Sequence, residues 1–294
     1  MTGPTGLTGP LPPGRRLSLN QWTTRSWTVP QAVDGCLRHG IEAIGLWREE
    51  VADHGLAATA KRVADAGLRV SSLCRGGFLN TGSWLEDNRR AIDEAATLDA
   101  ACLVLVVGGL PGVVPGKAPG ERVSRDLAAA RRHIADALDV LVPLAAERGV
   151  RLALEPLHPM YCADRAVLST LKQALDLAAP YPGDRVGVCV DAFHVWWDPE
   201  VAAQITRAGE AGRIASFQLC DFLVPLPADV LLGRGMMGDG VIDFPPLYRA
   251  VADAGYAGDI EVEIFNADIW AADPDIVVAT MKSRYEAIVH AAAD

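Results

Sequence analysis

The chain lacks a basic excess. Lys plus Arg number 27 against 37 Asp plus Glu in 294 residues, a formal net charge of −10. Sequence-independent nucleic-acid binding needs a basic surface, so this balance argues against it while leaving room for a small basic pocket. No apolar run is long enough to span a bilayer. The longest attempt, Cys102 to Pro115, is interrupted by Gly108, Gly109, Pro111 and Gly112. No basic segment followed by an apolar stretch stands at the N-terminus, so no secretory leader is expected. Cysteine is sparse and scattered, at 36, 74, 102, 162, 189 and 220, with no C-x-x-C pair. In a chain of this size that usage points to free, mostly buried thiols and a cytoplasmic location. P-loop, H-E-x-x-H and G-x-S-x-G nucleophile-elbow patterns are absent. One G-x-G-x-x-G match, Gly233 to Gly238, follows Pro225 and Pro227 and does not open directly into a helix. It reads as a mobile glycine-rich loop or lid rather than a dinucleotide fingerprint.

Half of the residues are apolar (50%), ample for one large core. Residues 1–16 are mostly Gly, Pro and Thr and read as a flexible tail. From 17 to 294 no linker or composition shift divides the chain. There, short β-type runs alternate with longer helical patterns. Strands are expected at 17–22, 41–46, 68–74, 102–107, 150–155, 186–191, 214–220 and 259–264. Helices are expected near 30–39, 55–66, 84–99, 121–148, 166–179, 198–212, 245–254 and 274–292. Leu127, Arg131, Ile134, Leu138, Leu141 and Ala145 share one helical stripe. Eight strands, each followed by a helix, predict an α/β fold, a single (β/α)8 barrel over 17–294. A doubly wound open sheet is the structural alternative.

In such a barrel chemistry sits where strands run into the loops before helices. The fifth strand ends in Glu155 and the sixth in Asp191; the seventh carries Gln218, with Asp221 just beyond, and the eighth carries Glu263. Side chains alternate between faces along a strand. Leu152 and Leu154, Val186, Val188 and Val190, Ala215, Phe217 and Leu219, and Ile260, Val262 and Ile264 then face outward. Glu155, Asp191, Gln218 and Glu263 fall on the opposite, inward phase. Acids converging inside a barrel repel one another and lose hydration unless a cation compensates them. A divalent ion is the simplest compensation. Three carboxylates and an amide oxygen form a hard set that favours Mg²⁺ or Mn²⁺, with Co²⁺ or Zn²⁺ also accommodated. The bland alternative is that each acid caps a helix or sits solvated at a loop start. Around this mouth, His158, His194, Trp47, Arg75 and Arg234 are candidate substrate contacts.

Three runs carry a family resemblance. Gly238-Asp239-Gly240-Val241-Ile242-Asp243-Phe244, followed by Gly255-Tyr256-Ala257-Gly258 and Glu263, resembles the C-terminal signature of the xylose isomerase-like TIM barrels, the sugar-phosphate isomerase/epimerase superfamily. Leu154-Glu155-Pro156-Leu157-His158-Pro159 and Asp191-Ala192-Phe193-His194 resemble its fifth- and sixth-strand motifs. The resemblance implies that Glu155, Asp191, Gln218 and Glu263 are metal ligands. Gln218 departs from the histidine of many epimerases, which touches metal preference more than metal binding. It further implies that Glu155 and Glu263 double as an acid/base pair and that His194 contacts a substrate oxygen.

The implied activity is isomerisation or epimerisation of a keto or aldo sugar, or its phosphate, through a cis-enediolate. The alternative begins with the same α-proton abstraction and ends in β-elimination, as in a dehydratase or lyase acting on a keto-sugar, keto-cyclitol or 3-keto-glycoside. A two-carboxylate glycoside hydrolase leaves Asp191 and Gln218 unexplained. A sugar-binding protein without catalysis leaves the acid pair unexplained. The expected partner is a small sugar or sugar derivative, with neither nucleic acid nor membrane, and the resemblance implies a homodimer or homotetramer.

Overall fold

The computed structural model describes residues 16–113 and 123–293. The expected tail therefore lies outside the described residues, apart from Arg16. That residue is buried, its Nε donating to the Gly258 carbonyl at 2.7 Å and its Nη2 to the Tyr256 carbonyl at 2.9 Å.

The β-branched and leucine-rich runs form β1 (Leu17–Asn20), β2 (Ala43–Trp47), β3 (Arg69–Cys74), β4 (Leu103–Leu105), β5 (Leu152–Leu154), β6 (Val186–Asp191), β7 (Ile214–Leu219), β8 (Asp221–Phe222), β9 (Arg234–Gly235) and β10 (Ile260–Val262). All except β8 and β9 close into a parallel barrel in the order β1–β10–β7–β6–β5–β4–β3–β2. Each expected strand is present and is followed by helix, after β7 only beyond the β8–β9 ribbon. The closed order settles the choice against an open doubly wound sheet. No helix among the described residues is long and apolar enough to cross a membrane.

Helix starts depart from the sequence expectation where short polar residues cap them. The helix expected from 121 begins at Leu127, because the Asp126 carboxylate accepts the N–H of Ala129 at 2.8 Å. Residues 121 and 122 lie outside the described residues. The helix expected from 166 begins at Leu171, capped by the Thr170 hydroxyl on Gln173 N–H. The helix expected over 55–66 is present as Leu56–Asp65, and an unexpected short helix, Arg48–His54, precedes it, the two parted at Gly55 where φ is 95°.

Alternation sorts the core into two clusters. Leu152, Leu154, Val188, Phe217 and Val262 pack outward with the helices. Cys74, Cys102, Val104, Ala153 and Cys189 form a separate, smaller cluster on the inward phase. Ala215 is the exception. It was expected outward with Phe217 and Leu219, yet it belongs to the inner cluster. The β6–β7 register jumps from Val188↔Ile214 to Cys189↔Ser216, and the bulge turns Ala215 inward. A second bulge lies in β3, where Ile44↔Val70 is followed by Gly45↔Ser72. It lets the consecutive Ser71 and Ser72 both reach the barrel axis. All six cysteines are free thiols.

Candidate functional site

The C-terminal ends of β5, β6, β7 and β10 bring Glu155, Asp191, Gln218 and Glu263 to one mouth, all of them buried. Between β7 and β10 the chain makes an excursion that sequence patterning read as a mobile glycine-rich lid. It is instead anchored. β8 and β9 pair antiparallel, Asp221 opposite Gly235 and Phe222 opposite Arg234. The buried Asp221 carboxylate accepts the N–H groups of Phe222, Gly238 and Gly240, each at 2.8 Å, and of Ile242 at 3.0 Å. Glycine is required at 240, where a Cβ would collide with the Phe222 carbonyl and the Asp221 side chain.

This anchored ribbon drives Arg234 inward. The side chain is only 5% exposed. Its Nη1 donates to Glu263 Oε2 at 2.8 Å and Asp191 Oδ2 at 3.2 Å. The guanidinium lies between the rings of Phe193 and Phe265, 4.9 and 4.6 Å from their centroids. Sequence reasoning placed Arg234 on the rim; the structure places it among the acids. Asp191 Oδ1 accepts the Phe193 N–H at 2.8 Å, while Glu155 makes no side-chain hydrogen bond among the described residues.

Burial, followed by the charges of Asp191 and Glu263, pushes Glu155 well above the usual carboxylate range. Burial also raises Asp191, against the pull of Arg234. Glu263 is raised by burial to about 7, again with Arg234 opposing. Burial works against the Arg234 charge, yet the facing Asp191, Cys220 and Glu263 hold its guanidinium protonated well above its usual value. Two of the three acids thus share one guanidinium, and Glu155 has none bonded to it, so the cluster retains capacity for further positive charge.

Just below sits a carboxylate that sequence reasoning passed over. Glu261 is 1% exposed and accepts from Asn20 Nδ2 (2.6 Å), Gln218 Nε2 (3.2 Å), Ser71 Oγ (2.6 Å) and Ser72 Oγ (2.8 Å). Gly45 makes room for it, since a Cβ there would come within 2.5 Å of the carboxylate carbon. A carboxylate needs donors, so the Gln218 amide must present its nitrogen to Glu261. The Gln218 Oε1 is left buried without a partner. An orphaned buried acceptor costs about 1–3 kcal/mol. A metal ion would satisfy it, because an amide ligates through oxygen. An unpartnered amide oxygen and buried carboxylates are a donor set that suits a divalent cation. Among the described residues, ligand atoms of Glu155, Asp191 and His194 lie within 4.8 Å of one another, as do those of Cys74, Glu261 and Glu263.

Asn20 ties the acids to an aromatic wall. Its amide nitrogen also donates to Glu263 Oε1 at 3.0 Å, and its oxygen accepts from Trp22 N–H (3.0 Å) and Trp47 Nε1 (2.9 Å). Trp22 and Trp47 stack with centroids 4.3 Å apart, and Phe265 stands edge-on to Trp47. These rings, with Arg75, Glu155, His194, Arg234 and Glu263, line a cavity of about 160 Å³. A larger cavity, about 350 Å³, involves Arg151, Gly212, Tyr256 and Asp259. Those residues precede the strands, at the opposite end of the barrel, and none of the converging acids lines it.

His194 faces the acids, its Nε2 3.6 Å from Asp191 Oδ2 and 3.9 Å from Glu155 Oε1. Burial, then the Arg234 charge, drives it well below its usual value, so the ring is neutral. Its Nδ1 accepts the backbone N–H of His158 at 3.0 Å, so Nε2 carries the ring proton. In that tautomer the 3.1 Å approach of Arg234 Nη2 to His194 Nε2 sets donor against donor. His158 itself does not join the cavity. Its ring packs against Phe222 and Trp197, and its part is to fix the His194 tautomer. The inward phase of Glu261, two residues before Glu263, was the signal available for the missed acid.

Residues 33–285 match the family model of the xylose isomerase-like TIM barrel. The chain is 24% identical to an inosose isomerase of Bacillus velezensis, over 93% of this chain and 97% of that protein. It is 26% identical to a ketose 3-epimerase of Arthrobacter globiformis, over 77% of this chain and 70% of that protein. Among solved structures, a protein of Sinorhizobium meliloti 1021 is 46% identical with a TM-score of 0.87, covering 94% of this chain and 98% of that one. The IolI protein, solved with a bound zinc atom, shares the fold at 21% identity and a TM-score of 0.75, over 93% of this chain and 98% of that one. The closed eight-stranded barrel and the family match over most of its length establish that this chain belongs to the xylose isomerase-like TIM barrel family.

Proposed function

We propose that the chain is a divalent-metal-dependent isomerase or epimerase of a keto or aldo sugar, or of its phosphate, with Glu155 and Glu263 as the acid/base pair. The observation that carries this reading is the cluster of three buried acids, two of them on one guanidinium, together with the unpartnered buried Gln218 oxygen. The inosose isomerase and ketose 3-epimerase among the relatives support the reaction class, and the zinc bound by IolI supports a metal.

Glu155, Asp191, Gln218 and Glu263 would hold the ion, Mn²⁺ or Mg²⁺ by their hard oxygens, with Co²⁺ or Zn²⁺ accommodated. When bound, the ion supplies a Lewis acid for the substrate carbonyl and stabilises the enediolate. Glu263, oriented by Asn20 and Arg234, is the base that takes the α-proton. Glu155, buried across the same mouth, is the acid that returns a proton to the adjacent carbon or the opposite face. The His194 Nε2–H donates to a substrate oxygen. Trp22, Trp47 and Phe265 cover the apolar side of the sugar ring and exclude water.

The test is solvent deuterium exchange over a panel of ketoses and ketose phosphates, with metal-stripped and Mn²⁺-loaded protein. Label at the α-carbon of isomerised product, appearing only with metal, is expected. Full turnover without metal would reject the proposal, and loss of water or of an aglycone would assign the elimination reaction instead.

A further inference from the structure

Arginines partly or wholly withdrawn from solvent here bond either carboxylates or several backbone carbonyls, as Arg151 does at Gly183 and Gly212. Arg48 bonds Glu94 and Asp87, Arg69 bonds Asp259, and Arg234 bonds Asp191 and Glu263. Arg75 does not. Among the described residues it forms no ion pair, and its one side-chain hydrogen bond goes to the adjacent Gly76 carbonyl at 3.1 Å. Its guanidinium lies 3.8 Å from the centre of the Phe78 ring, so that face is covered. A guanidinium carries five N–H donors, and only one of these is bonded to protein among the described residues. Burial lowers its pKa, and the charge of Arg165 lowers it further.

Arg165, from the loop after β5, lines the same cavity. Its Nε is buried without a hydrogen-bond partner, and its nearest acid, Asp164, is 3.7 Å away. Glu49 also faces the cavity and favours the Arg75 charge, but from beyond ion-pair distance. Among the described residues, Arg75, which has no ion pair, and Arg165, whose one ion pair is the 3.7 Å approach to Asp164, therefore share this part of the cavity with Glu49. Like charges that share a cavity repel, and an oxyanion with two or more oxygens between them relieves that repulsion and supplies acceptors to both.

We propose that Arg75 and Arg165 form an oxyanion subsite, and that the substrate carries a phosphate or carboxylate group remote from the carbon that Glu263 deprotonates. This inference rests on the reading of the cavity as a sugar isomerase site. The shared chemistry is a group with two or more equivalent oxygens, and the probes separate its sources.

The test titrates Mn²⁺-loaded protein calorimetrically with inorganic phosphate and, separately, acetate. The proteins are wild type, Arg75→Met and Arg165→Gln, each checked for unchanged melting temperature. Arg75→Lys serves if Arg75→Met fails to fold. Deuterium exchange then compares D-fructose, D-fructose 6-phosphate and D-fructuronate. Tighter binding of phosphate, with faster exchange of the phosphate ester, assigns a phosphomonoester. Tighter binding of acetate, with faster exchange of fructuronate, assigns a sugar acid. In either case each Arg variant should weaken anion binding about tenfold or more, the worth of a charge-assisted contact. Equal binding by wild type and both variants, or exchange indifferent to the anionic group, overturns the subsite while leaving the isomerase reading intact. Arginine-dependent anion binding with no exchange on any sugar keeps the subsite and defeats the isomerase reading.

Discussion

Replacing Arg234 by Met tests how the acid cluster is held together. Methionine keeps an unbranched side chain between Phe193 and Phe265 but removes the charge. Two charge-assisted contacts vanish, to Glu263 at 2.8 Å and to Asp191 at 3.2 Å, in a buried setting. Breaking a buried pair by deleting one partner costs about 3–5 kcal/mol, because the stranded charge stays behind. The cost must depend on pH. An acid whose folded pKa is raised contributes stability that is complete below its unfolded pKa and is lost as pH climbs through the folded value. For Glu263 that window runs from the ordinary 4.5 to about 7. Removing Arg234 raises the folded values of Glu263 and Asp191 further, so the deficit approaches its full size at pH 8 and shrinks at pH 6, where the acids bind protons instead. Urea unfolding at both pH values, with and without Mn²⁺, measures it. Metal at about 100 times its dissociation constant adds about 2.7 kcal/mol to any chain that binds it only when folded. The variant should regain more than wild type gains, since the ion replaces the guanidinium. A deficit below about 1 kcal/mol at pH 8, or no stabilisation of either protein by Mn²⁺, would refute the reasoning.

Gln218→Leu removes the unpartnered oxygen together with one donor to Glu261. Stability should change by no more than about 1–2 kcal/mol, since the gain and loss oppose, while Mn²⁺ affinity measured by calorimetry drops about tenfold or more. Asp221→Asn keeps the shape but turns an acceptor-only group into one that also donates. It should destabilise by about 2–4 kcal/mol through lost charge-assisted bonds to four backbone N–H groups. Hydrogen exchange at 234–242 should accelerate well beyond that of the barrel strands. Because protons and metal compete for Glu155 and Glu263, Mn²⁺ affinity should rise from pH 6 to pH 8. A flat profile would show that those acids do not ligate.

The barrel was legible because its signal repeats. Eight strand runs, each with one outward apolar face, leave one closed parallel arrangement. The same alternation puts Glu155, Asp191 and Glu263 on one phase. What it missed has local causes. The bulges at Ala215 and Ser71 break the two-residue period, and no apolar pattern announces a bulge. Glu261 shares the inward phase of Glu263, but its role depends on Asn20, Ser71 and Ser72 on β1 and β3, a convergence set by barrel closure rather than by spacing. The anchoring of the glycine-rich loop depends on Asp221 gathering N–H groups from up to 21 residues away. Arg234 could be named as a rim residue, yet only the β8–β9 ribbon turns it into the centre. Arg165 carried no sequence signal, because an arginine four residues after Tyr161 reads as solvated surface.

The central claim is that a cation belongs among the side chains at 155, 191, 218 and 263. Crystals grown without metal and soaked in Mn²⁺ test it directly, by anomalous diffraction at the manganese edge. One strong peak bounded by those four side chains, with Arg234 displaced from Asp191, is the predicted result. No peak at that position, with the guanidinium still bridging Asp191 and Glu263, would contradict the account.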